Sequence, residues 1–157
     1  MLIITGQPAT RQQNTYGGGT NVLCLDTNTS DTYTKDYNPF YPAYLGGVEY
    51  YQTANSGYDA TCAVCMSSKK STLMIPNRSS CPPGWVKEYG GALAASPSHS
   101  SSYFAHEYIC VDQAFNRTAS NSNGYEAFLT YAYFGCGNLP CTIMSTSTVP
   151  ACSVCSR

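Results

Sequence analysis

Apolar and polar positions alternate along much of this chain with a period of two. Residues 127–134 (AFLTYAYF) and 71–75 (STLMI) carry the alternation with aromatic or β-branched side chains and are bounded by Gly, Pro or Asn, the signature of half-buried strands. Residues 20–26 (TNVLCLD) and 106–112 (HEYICVD) show it again, each with a Cys two positions before an Asp. Only residues 91–95 (GALAA) have a helix-favouring composition, and so short a run does not hold a helix in water. The Ser-rich residues 96–102 and the stretch from Asn116 to Asn123 read as solvated loops. The pattern predicts an all-β fold.

The strand-like segments recur in order. Residues 20–26 match 106–112, residues 46–51 (GGVEYY) match 123–128 (NGYEAF), and each half closes on a C-x-x-C, at Cys62 to Cys65 and Cys152 to Cys155. Upstream, residues 2–6 match 87–91, with 18 residues from Gly6 to Cys24 and 19 from Gly91 to Cys110. Matched cysteines at matched spacings describe an internal repeat, approximately 1–66 and 81–157, within a single domain spanning 1–157. Neither half carries enough apolar strand to stand alone, so the two are expected to pack as one disulfide-stapled unit.

Composition narrows the function classes. With 8 Lys plus Arg, 9 Asp plus Glu and a net charge of -1, the chain lacks the clustered cations that neutralise phosphates, and the one adjacent basic pair is Lys69 and Lys70. Nucleic acid is not an expected partner. No run approaches the ~18 apolar residues that span a bilayer, and the first residues, MLIITG, are too short an apolar run for a signal-peptide core. A secretion signal is therefore expected to be already removed or to lie outside this sequence. Nine Cys, sequons at Asn28, Asn77 and Asn116, and a surface of Tyr, Ser, Thr and Asn in place of Lys and Glu point to a secreted, extracellular module.

If the halves share a fold, their cysteines pair equivalently: Cys24 with Cys62, Cys110 with Cys152, and the remaining second-half pair Cys81 with Cys155. Cys136 and Cys141 flank a short Gly/Pro loop (GCGNLPC) that a disulfide can close. Cys65 is left odd, which suggests an intermolecular bridge in a homodimer; pairing of Cys65 with Cys81 is the rival. Structural zinc is disfavoured, because the two C-x-x-C motifs are 87 residues apart where ribbon sites separate them by roughly 15 to 20.

Read in order, GGGTNVLCLD (17–26), GGVEYY (46–51), CAVC (62–65), LMIPNRSSCPPGW (73–85), EYGG (88–91), EYICVD (107–112), LPC (139–141) and CSVC (152–155) resemble one family: the C-terminal globular domain of invertebrate short-chain collagens and its free-standing relatives in cnidarians such as sea anemones. The motifs cover nearly the whole chain. No Gly-X-Y run occurs, so a collagen stalk is absent from this sequence. The resemblance implies a secreted β-rich module, and the free-standing relatives include a lectin that binds galactose through a calcium ion. Two departures stand out. The family begins with a Cys-Pro-x-Gly element that this chain lacks, and many collagen-type members have an apolar residue where Glu126 stands.

On that footing the expected function is a secreted lectin binding terminal galactose through Ca2+; the alternative is an extracellular matrix module without sugar binding. Calcium takes six to eight oxygen ligands, and the expected metal ligands are Glu126, Asp112, Glu107 and Asn123. The expected sugar contacts are Glu126, Asp112, His106 and Tyr125. Asn21, Asp26 and Glu49 form the equivalent, less charged group in the first half. The competing structural roles are a turn cap for Asp112 and a solvated strand position for Glu107. His99 and His106 are the only imidazoles, and neither lies in a nucleophile motif, so no enzyme is expected. Trp85 has two readings, core residue or sugar-stacking platform.

Overall fold

The computed structural model describes residues 1–28, 31, 42–51, 56–98, 104–120, 124, 126–140 and 142–157. Among these there is no helix, and the fold is all-β. The strands are β1 (Leu2–Arg11), β2 (Leu23–Asp26), β3 (Leu45–Tyr50), β4 (Tyr58–Asp59), β5 (Cys62–Cys65), β6 (Thr72–Pro76), β7 (Val86–Ala95), β8 (Ile109–Asp112), β9 (Ala127–Tyr131) and β10 (Ala151–Ser156). Residues 91–95, the segment with helix-favouring composition, are the second half of β7. Two compact units form: Met1–Met66 with Ser96–Glu107 and Asn116–Leu129, and Ser67–Ala95 with Tyr108–Phe115 and Thr130–Arg157.

In the first unit β1 is the spine. It pairs antiparallel with β2, β3 and β5, while β3 pairs antiparallel with β4 and parallel with the start of β9. In the second unit β7 has the same position. It pairs antiparallel with β8 and β10, and β10 carries β6 on its other edge.

The registers of the two spines coincide. Gly6 stands opposite Asp26 and Cys62, and Gly91 stands opposite Asp112 and Cys152. The disulfide Cys24–Cys62 thus joins the strands on either side of β1, and Cys110–Cys152 those on either side of β7, with Cα separations of 5.8 and 5.7 Å. Two strands flanking a third in a flat sheet stand about 9.5 Å apart, so each sheet must curl around its spine. Glycine permits the curl. A Cβ at Gly6 would lie 1.7 Å from the Leu25 carbonyl oxygen, and one at Gly91 would lie 1.8 Å from that of Val111.

A third bridge joins Cys81 to Cys155, which excludes the pairing of Cys81 with Cys65; Cys65 is exposed and unbridged. Cys136 is disulfide-bonded, while Cys141 lies outside the described residues. The buried apolar side chains of the first unit are Ala9, Val48, Tyr50, Ala60, Ala127 and Leu129. Those of the second are Ala94, Val111, Cys152 and Cys155, beside buried Ser153 and Ser156. So small a set of apolar residues leaves the cystines as much of the second core, the usual construction of disulfide-dense modules.

Candidate functional site

Three carboxylates are set on one face of the first unit by strand register. Glu49 on β3 stands directly opposite Asp59 on β4, and residues opposed in an antiparallel pair project to the same side. Glu49 also stands opposite Phe128 on β9, two positions after Glu126, and alternate residues of an extended segment share a face. Asp59, Glu126, Gly124, Gly46, Gly47 and Val48 border a cavity of about 360 Å³. Three glycines keep its rim low.

The electrostatics of the group are unusual. Glu49 is only 2 % exposed, and its Oε1 is buried without a hydrogen-bond partner. Desolvation raises its carboxyl from 4.5 to about 7, and the charges of Glu126 and Asp59 push in the same direction. Asp59 is held by its backbone, its N–H donating to Ser120 O at 3.3 Å and its carbonyl accepting from Thr118 at 3.0 Å. Arg117 is stacked over Tyr58 at 3.5 Å from the ring centroid.

The site residues expected from sequence fall in both units or outside the described residues. Glu107 and Glu126 belong to the first unit and Asp112 to the second; Asn123 and Tyr125 lie outside the described residues. Glu107 Oε1 accepts from the Val22 N–H at 2.6 Å, and the Glu107 N–H donates to Thr20 O at 2.8 Å, tying residues 20–22 in place. Asp112 Oδ1 accepts from the Ala114 N–H at 2.9 Å, and Asp26 Oδ1 accepts from the Asn28 N–H at 2.8 Å. Both Asp residues that follow a strand Cys thus close a turn with their own side chain. His106 is buried, with Nδ1 3.0 Å from Glu107 O and Nε2 3.0 Å from Phe128 O. Both ring nitrogens thus face backbone carbonyl oxygens, and whichever nitrogen carries the proton donates to one of them. One Glu126 oxygen accepts from the Gly124 N–H. Of the first-half group, Asn21 contributes its carbonyl to the Thr10 hydroxyl at 2.9 Å.

Glu126 and Glu49, which the repeat assigns to two separate groups, therefore share one site because β3 and β9 pair. Asp59 is the member that sequence reading passed over; it lies in a two-residue strand with no motif around it. Among the described residues no three His, Cys, Asp or Glu side chains are close enough to enclose a metal ion by themselves. No protein-family model, curated protein or solved structure matches the chain.

Proposed function

We propose that this chain is a secreted lectin that binds a galactose-type sugar in the cavity of the first unit, with calcium as the shared ligand of protein and sugar. The observation that carries the reading is Glu49, a buried carboxyl with an unpartnered oxygen beside two further acids. Repulsion within the group would be relieved by a hard cation, which protein carboxylates and neutral hydroxyls together can coordinate. Glu126 and Asp59 line the cavity and are the residues that would hold the ion, and both act electrostatically on Glu49. Calcium supplies attraction for vicinal hydroxyls that neutral hydrogen bonds alone do not. The low glycine rim leaves room for a sugar ring, and the side chains of Glu126 and Asp59 orient it.

Glu107, Asp112 and His106 are not part of this proposed site, since none of them borders the cavity and Asp112 belongs to the second unit. A homodimer bridged through the exposed Cys65 would present two such sites and gain avidity on multivalent surfaces. The same feature favours the second reading, a self-associating matrix module. Met1, Leu2, Ile3, Val64 and Met66 are all exposed around Cys65, an apolar strand edge suited to assembly.

A glycan array run with and without chelator separates the two. The lectin reading expects binding to galactose-terminated glycans that is lost in chelator and lost in Glu126→Gln. Absence of any galactose signal would leave the matrix module as the function.

A further inference from the structure

A second cavity, in the second unit, has the opposite electrostatic character. It measures about 570 Å³ and is bordered by Ser68, Lys69, Lys70, Ser71, Trp85 and Arg157. Three of the 8 basic residues of the chain and its single Trp stand around one cleft, and no carboxylate side chain borders it. Strand register puts them there. Ser156 on β10 stands opposite Thr72 on β6 and Val86 on β7, so Ser71, Arg157 and Trp85 continue three adjacent strands past the same end of the sheet. Opposed positions share a face, and Arg157 and Trp85, one step past the Ser156–Val86 pair, both border the cleft.

The frame is ordered by the backbone. The N–H groups of Lys70 and Ser71 donate to Arg157 O at 2.9 and 3.1 Å, and Arg157 N–H donates to Ser71 O at 3.0 Å. Lys69 N–H donates to Ser67 Oγ at 3.1 Å. Trp85 N–H closes the Pro82–Trp85 turn at 3.1 Å, with Gly84 at φ 80°. Trp85 is half-buried, so one part of the indole is anchored while the other faces the cleft. Glu88 accepts from the hydroxyls of Ser67 and Ser156 and is thereby engaged outside the lining.

We infer that this cleft is a binding site for a sulfated saccharide, distinct from the proposed calcium-dependent site and not resting on it. An indole face recognises the C–H face of a pyranose ring, while ammonium and guanidinium groups form charge-assisted hydrogen bonds to an anionic substituent. A single carboxylate is met by one Arg; three cationic heads match the three terminal oxygens of a sulfate, or two anionic groups on neighbouring residues. The nearly neutral chain thus concentrates positive charge at one place with a stacking platform beside it.

The single Trp makes the test direct. Intrinsic fluorescence of the intact protein is titrated with a heparin-derived tetrasaccharide, with its desulfated form, with lactose and with a short oligothymidylate, all in chelator. Saturable change with the sulfated tetrasaccharide is expected, at least about tenfold tighter than with the other three and weakened about tenfold between 50 and 500 mM salt. The double variant Lys69→Gln/Lys70→Gln should bind about tenfold more weakly. Both lysines are exposed, so an unchanged melting curve certifies its fold. Equal affinity for desulfated sugar, tighter binding of the oligothymidylate, no response to the sulfated sugar, or an unaffected double variant would each overturn the assignment. The galactose reading is unaffected by any of these outcomes, because chelator silences it throughout.

Discussion

Glu49→Gln tests the electrostatics of the first-unit site without any ligand. In the folded protein the Glu49 carboxyl titrates near 7, whereas in the unfolded chain it returns to 4.5. Between those two values the native state holds a proton that the unfolded state has released, so stability falls as pH rises through the window and levels off above it. At about 1.4 kcal/mol per pH unit, the interval from 4.5 to about 7 amounts to about 3 kcal/mol lost at alkaline pH. Gln keeps the shape and does not titrate. Urea denaturation of both proteins in chelator, at pH 4.5 and pH 8.5, isolates the effect, because every other titrating group is common to the pair. The variant should match the parent within about 1 kcal/mol at pH 4.5 and exceed it by about 3 kcal/mol at pH 8.5, or about 6–12 °C in Tm. A difference that does not change between the two pH values would refute a buried, charge-crowded Glu49. If calcium occupies the site as proposed, its addition at pH 8.5 should raise the parent more than the variant, which lacks one neighbouring negative charge.

The remaining expectations concern the frame and the proposed calcium site. Gly6→Ala and Gly91→Ala each drive a methyl into a carbonyl oxygen at 1.7 or 1.8 Å and should each cost about 3 kcal/mol or more in denaturant titrations; unchanged midpoints would mean that the strands do not curl at these points. Replacing Cys110 and Cys152 together by Ser should lower stability by about 2–5 kcal/mol, measured by the same titration. Cys65→Ser should leave stability within about 0.5 kcal/mol, since Cys65 is exposed and unbridged, and should abolish any dimer seen on non-reducing electrophoresis. Glu126→Gln should weaken calcium and galactose together in calorimetric titrations, because the two ligands are linked; loss of one alone would separate them.

The alternation of apolar and polar residues was sufficient to establish an all-β chain, because side-chain period is a local property that each strand carries by itself. Matched spacing around Gly6 and Gly91 likewise foretold two similar spines, since each glycine and its following Cys lie in one short stretch. The Ala-rich end of β7 favours helix by composition alone, but the run is too short to hold one and is strand because β8 and β10 flank it and pairing outweighs intrinsic preference. Long-range pairing was decided elsewhere. Nothing near Glu49 or Glu126 announces that β3 and β9 lie side by side in parallel, and a parallel pair has no hairpin to betray it. The sequence therefore made these acids equivalents in two groups, while the fold made them neighbours in one. Asp112 and Glu107 looked like ligands by residue type; Asp112 instead makes the local turn cap that its sequence also offered, while Glu107 is claimed by the Val22 N–H, 85 residues away, whose approach the sequence leaves open. The basic cleft shows the same division. Lys69 and Lys70 are adjacent in the chain and visible at once, but Trp85 and Arg157 join them only because three strands end in register.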